Sequence, residues 1–201
     1  MWIFGDSFST NMSIHSWVYK ISKDYDVTNL SKNGVSQYRI YRTFLNNKDK
    51  ISKNDTVIFC HTNPNRIYLP DRTLYPTRQK DSHKECDLVL GDVDRHGLFW
   101  RFVSYVFIRF FYDEEYFNHQ YDLMINEMDR IARDKNCSII HVSGFVSRNY
   151  IIGIKDIFDK HRGDINHLSI QGNDLVVERI SGAGDRGRTD DILVGNEMLY
   201  H

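Results

Sequence analysis

Met1-Trp-Ile-Phe4-Gly5-Asp6-Ser7-Phe8-Ser9 opens the chain, and its reading sets the fold. Met1 to Phe4 is a short apolar run of β-forming residues and reads as a buried strand. Gly5 gives the following turn conformational latitude, and Ser7 then falls at the carboxyl end of that strand. Open α/β sheets form their ligand crevice at that end. A hydroxyl there is placed to react, although the same residues also read as a plain serine turn or helix cap.

Downstream, strand and helix patterns alternate. Ser13 to Asp24 carries Ile14, Trp17, Val18 and Ile21 on one helical face. Val27–Leu30 and Thr56–Cys60 are strand candidates, with a helix from about Ser36 to Asn46 between them. Phe117, Tyr121, Met124, Met128, Ile131 and Ala132 mark a long amphipathic helix, and Cys137–Val142 follows as a strand. Leu168 to Ile180 reads as the closing helix, packing Leu175, Val176 and Ile180. Such alternation predicts a parallel sheet with right-handed crossovers.

Length and composition fit one domain over residues 1–180. A chain of 201 residues can bury most of its apolar surface in a single core. Its net charge of −1 argues against nucleic acid or an anionic membrane as a partner. Cys60, Cys86 and Cys137 are odd in number and widely spaced, which is not a disulfide framework. No basic segment followed by an apolar run marks a signal peptide, so the cytoplasm is the expected location. Residues 181–201 are Gly-rich and charged with little to bury, and read as a tail outside the core. From Gly182 on, this tail resembles the conceptual translation of a transfer-RNA gene.

The chemistry is read from both ends of the chain together. Asp164-Ile-Asn-His167 precedes the closing helix. A serine hydroxyl is a weak nucleophile at neutral pH and needs a base. A histidine, with its ordinary pKa of ~6.5, suits that role. The histidine needs a carboxylate to fix its tautomer and stabilise the imidazolium, and an Asp three residues earlier can fold back to do so. Ser7, Asp164 and His167 are therefore the candidate catalytic residues.

Gly5-Asp-Ser7 near the start with Asp164-x-x-His167 near the end resembles the SGNH (GDSL-type) hydrolase family. The resemblance implies a flavodoxin-like three-layer α/β/α sandwich with a central parallel sheet. It implies hydrolysis of small acyl esters, including O-acetyl groups on carbohydrate, by a Ser-His-Asp triad without a cofactor. It also implies two middle blocks that supply oxyanion-hole donors. The first maps onto Ser31-Lys-Asn-Gly34-Val-Ser36 and the second onto His61-Thr-Asn63-Pro64. Donors aimed at the developing oxyanion are worth about 3–4 kcal/mol each, and the set here is Ser7 N–H, Gly34 N–H and the Asn63 amide. The second block departs from the family's Gly-x-Asn-Asp: His61 replaces the glycine, which implies a changed wall beside the oxyanion hole, and Pro64 replaces the Asp. Asn65 rivals Asn63 for the donor role, with Asn63 favoured. An acyltransferase using the same triad, and a non-catalytic glycan- or protein-binding relative, are the alternative functions.

Residues 64 to about 116 exceed a minimal version of this fold. Pro64 to Asp94 reads as a long loop that overhangs the site, with Arg66 or Arg72 meeting an anionic group, or else as a solvated excursion. Asn65 and Arg66 are the candidate substrate-binding residues within it. The 98–117 segment is strongly aromatic, but Arg101 and Arg109 interrupt it, which argues against a membrane span. Core packing or a subunit interface in a homo-oligomer is expected, with the wall of a substrate pocket as the alternative. His83-x-x-Cys86 and Asp92-x-Asp94-x-His96 lack a closed four-ligand pattern, so no metal is expected.

Overall fold

The computed structural model describes residues 1–10, 13–68, 87–89, 98–145, 151–163 and 168–186. Its strands, in chain order, are β1 (Trp2–Gly5), β2 (Thr28–Asn29), β3 (Thr56–His61), β4 (Arg66–Ile67), β5 (Leu88–Val89), β6 (Ser138–Ser143) and β7 (Ile151–Gly153). The helices are α1 (Trp17–Ile21), α2 (Gln37–Asn47), α3 (Leu98–Phe110), α4 (Glu114–Asp134), α5 (Lys155–Lys160) and α6 (Ile170–Arg186). Five strands form one sheet in the order β2-β1-β3-β6-β7, every pairing parallel. β4 and β5 pair antiparallel apart from it.

Alternation along the strands sorts the core into two layers. Ile3, Ile58 and Val142 pack with Trp17, Val18 and Ile21 of α1, Ile157 of α5, and Val176 and Ile180 of α6. Phe4, Val57 and Phe59 pack with Ile40 and Phe44 of α2 and with Met128 and Ala132 of α4. Burying each of the Val, Ile, Phe and Met side chains among them contributes about 1.5–3 kcal/mol. The result is an α/β fold with a central parallel sheet flanked by helices on both faces.

Local signals fix the helix starts. The Ser36 side chain accepts from Arg39 N to cap α2. Asp113 accepts from Tyr116 N to cap α4, and Glu114 and Glu115 favour the positive end of its dipole.

Several expectations need correction. Helix α1 begins only after its Ser16 cap, so Ile14 lies outside it and is exposed. The stretch read as a continuous loop from Pro64 contributes strands β4 and β5. The 98–117 segment falls in α3 and the start of α4, and the core-packing reading of it fails: Leu98, Phe99, Phe102, Tyr105, Phe110, Phe111 and Tyr116 are all exposed. β7 and α5 had no counterpart in the sequence reading. Helix α6 continues to Arg186, so the first residues of the Gly-rich stretch are helical. No helix among the described residues is long and apolar enough to cross a membrane.

Candidate functional site

The chain leaves β1 toward α1 on one face and leaves β3 toward α4 on the other. Adjacent parallel strands with diverging continuations open a crevice beyond their carboxyl ends. Ser7 stands at the end of β1 and Thr62-Asn63 at the end of β3, and the register Gly5↔Cys60 sets these two ends side by side. That close approach requires glycine. A Cβ on Gly5 would lie 2.6 Å from Cys60 Cβ and 2.1 Å from Ser9 Oγ.

Ser7 is half-buried and begins a single 3-10 turn, Ser7–Ser9. Asp6, fully buried, caps that turn by accepting from Phe8 N at 3.0 Å. Its other carboxylate oxygen lies 3.9 Å from Arg66 Nη1. Asp6 therefore shapes the serine turn rather than exposing a charge to substrate. Cys60, the nearby thiol, is no rival nucleophile: burial, with the Asp6 charge, pushes its pKa far up.

The Gly34 block lies against the same edge. Lys32 N donates to Gly5 O at 3.1 Å, Asn29 Nδ2 to Ser9 O at 2.8 Å, and Thr10 Oγ1 to Asn33 Oδ1 at 3.1 Å. Gly34 has φ of 65°, a conformation that disfavours any residue with a Cβ. Three successive backbone groups are then held by residues of the 64–116 stretch. Asp87 N donates to Gly34 O at 2.7 Å, Arg66 Nη1 to Val35 O at 3.2 Å, and Ser36 N to Asp87 Oδ2 at 2.7 Å. Arg39 closes the clamp with a bidentate pair onto Asp87, at 3.0 and 2.7 Å. Asp87 itself is buried. The sequence reading missed Asp87 and Arg39, because residues 39 and 87 carry no motif and meet only in three dimensions.

Asn63 and Asn65 separate clearly. Asn63 Oδ1 accepts from Asn65 N at 2.8 Å, which orients the Asn63 side chain and leaves its amide N–H groups with no partner among the described residues. Asn65 is exposed, and its Oδ1 accepts from Tyr112 O–H at 2.7 Å. Asn63 is thus the better donor candidate. His61 does not form a wall of this edge. Its ring turns into the α2/α4 face, where it is buried.

There His61 enters a hydrogen-bonded chain. Gln37 Nε2 lies 3.0 Å from His61 Nδ1, His61 Nε2 lies 2.8 Å from His141 Nδ1, and His141 Nε2 lies 3.3 Å from Asp129 Oδ1. An amide nitrogen can only donate, so each imidazole in turn accepts at Nδ1 and donates at Nε2. The His61 ring is neutral in this pattern. Burial, and then the neighbouring His141, lower the His61 pKa well below its ordinary value.

Asp164 and His167 lie outside the described residues, as do Arg72, His83, Cys86, Asp92, Asp94, His96 and residues 187–201. The ends of the 164–167 segment are anchored close to the serine turn. Arg162 and Leu168 form an antiparallel bridge, and Ser169 N donates to His161 O. Leu168 O accepts from Asn173 Nδ2, Asn173 Oδ1 accepts from Trp17 N, and Trp17 Nε1 donates to Phe8 O. The Phe8 ring also packs edge-on against Phe158 of α5 at 5.2 Å. Among the described residues, no group of three or more His, Cys, Asp or Glu side chains is placed to hold a metal ion. No protein-family model, no curated protein and no solved structure matches this chain.

Proposed function

We propose that this chain is a serine ester hydrolase of the SGNH type, acting on a small acyl ester. The observation that carries the reading is the convergence of the Ser7 turn, the Gly34 loop and the Asn63 turn at the switch point between β1 and β3. The sheet order, counted by the five strands in chain order, is 2-1-3-4-5. That is the flavodoxin-like order, whose crevice lies between the first and third strands.

In this reading Ser7 Oγ attacks the acyl carbonyl carbon while His167 takes the hydroxyl proton. The carbonyl π electrons move to oxygen, where Ser7 N–H, Gly34 N–H and the Asn63 amide receive the charge. Collapse expels the alcohol, which takes the proton back from His167 and leaves Ser7 acylated. Water, deprotonated by His167, then attacks the acyl-enzyme and releases the acid and Ser7. Asp164 holds the His167 tautomer throughout. The clamp of Asp87 and Arg66 on residues 34–36 supports this role, because it fixes the Gly34 peptide before any substrate arrives.

The test is p-nitrophenyl acetate turnover by wild type, Ser7→Ala and His167→Ala. Each substitution should reduce kcat by about ten-thousand-fold or more, to the level of triad-less enzymes. Variants that fold and keep their turnover would overturn the reading.

A further inference from the structure

Helix α3 carries apolar residues on more than one side. Buried Ser104 and half-buried Phe107 turn inward, and the Phe107 ring meets Phe117 of α4 edge-on at 6.2 Å. About 100° round the helix from them runs a second stripe of Phe99, Val103, Val106 and Phe110. Its spacing of four, three and four residues is that of a seam between two paired helices. Phe99 and Phe110 are 68 % and 69 % exposed, and Val103 is exposed between them. Phe102, 65 % exposed, flanks the stripe.

The stripe reads Phe-Val-Val-Phe and is symmetric about the midpoint between Val103 and Val106. Laid antiparallel on a second copy of itself, it sets Phe99 against Phe110 of the partner subunit and Val103 against Val106 of the partner subunit. Large side chains meet at the two ends, and the small ones let the helix axes approach at the centre. Such self-complementarity is what a two-fold interface requires.

Going beyond the ester-hydrolase reading and independent of it, we infer that α3 pairs antiparallel with α3 of a second copy of this chain, making a homodimer along this seam. At roughly 200 Å2 for a phenylalanine side chain, the exposed parts of Phe99, Phe102 and Phe110 come to about 400 Å2 in each copy. That is half of the ~800 Å2 that one partner gives to a standard interface, before Val103, Val106 and their neighbours add to it. The two charged residues of α3, Arg101 and Arg109, lie off the seam by about a quarter-turn or more. A net charge of −1 sets up little repulsion between copies. A lipid surface fits less well. Exposed Asp113, Glu114 and Glu115 lie just beyond α3 and oppose an anionic bilayer, and a fluid bilayer does not select a symmetric order of residues.

Sedimentation velocity of the full chain, from about 1 to about 100 µM, tests the pairing. Wild type should form a dimer of 23.8 kDa chains with Kd of about 10 µM or tighter. Phe99→Glu and Phe110→Arg, both at exposed positions, should keep the fold by circular dichroism. Each should raise that Kd about a hundredfold or more, because it buries an unpaired charge against a phenylalanine. An equimolar mixture of the two variants should recover dimer: the introduced carboxylate and guanidinium then face each other, and the phenylalanine pair at the other end is intact. Tyr25→Glu, exposed beyond α1, should leave the Kd unchanged. Wild type that stays monomeric at about 100 µM, a dimer indifferent to both substitutions, or a mixture that stays monomeric overturns the proposal. Flotation of monomeric wild type with vesicles of phosphatidylcholine and phosphatidylserine would also overturn it and give α3 to a lipid surface instead.

Discussion

The two faces of the sheet are built differently. Toward α1, α5 and α6 the strands present Ile3, Ile58 and Val142, and the layer is a dry apolar core. Toward α2 and α4 the apolar set of Phe4, Val57, Phe59 and Phe44 gives way, at the carboxyl end of β3, to His61, His141 and Gln37. The Asp87–Arg39 clamp lies on this same side. One face draws its stability chiefly from apolar burial, with the Asn173–Trp17 hydrogen bond at its margin. The other spends part of its interior on directional hydrogen bonds, which cost desolvation but fix the Gly34 and Asn63 loops in one geometry.

The strongest test of that contrast is Asp87→Ala. It removes the bidentate carboxylate partner of the mostly buried Arg39 guanidinium, and such losses cost about 3–5 kcal/mol. Urea denaturation should show that loss, and an unchanged midpoint would dissolve the clamp. On the dry face, Ile58→Ala should cost about 2–5 kcal/mol through its cavity, with turnover per folded molecule retained. Lost turnover there would erase the distinction between the faces. Asn63→Ala should lower kcat by about a hundredfold or more, the effect of removing one oxyanion donor, while Asn65→Ala should change it far less. Equal losses would reverse the assignment.

The smallest effect is in pH. His61 binds its proton less readily folded than unfolded, so its stabilising contribution is intact above the unfolded value of 6.5 and is lost as pH falls below it. The slope reaches at most about 1.4 kcal/mol per pH unit for one proton. Asp129 adds to this only in stronger acid. Burial alone would raise its pKa, but hydrogen bonds from His141 and Arg133 outweigh that and lower it from 3.8. Stability measured from pH 7 to 5 should decline, and decline less in His61→Gln. A flat profile would remove the neutral-ring arrangement.

The sheet was legible in the sequence because short apolar runs after turn residues carry their signal locally. β1, β3, β6 and the long α4 follow the expected positions to within a residue or a few. β7 and α5 were not legible: three residues of strand and six of helix are too short to show a period. The core-packing reading of the aromatic 98–117 segment misled because apolar composition normally marks a core, whereas most of its described aromatic side chains are exposed. At the site, Ser7, Gly34 and Asn63 were readable as motif residues. Asp87, Arg39 and the chain from Gln37 to Asp129 were not, because their partners are distant in sequence and set by packing.

The most direct test of an activated serine at the carboxyl end of β1 is intact-mass and peptide-mapping analysis after fluorophosphonate treatment. A single adduct on the peptide containing Ser7, absent in Ser7→Ala and greatly slowed in His167→Ala, is expected. Folded wild-type protein that takes no adduct, or takes it on another residue, would contradict the assignment of Ser7 as nucleophile.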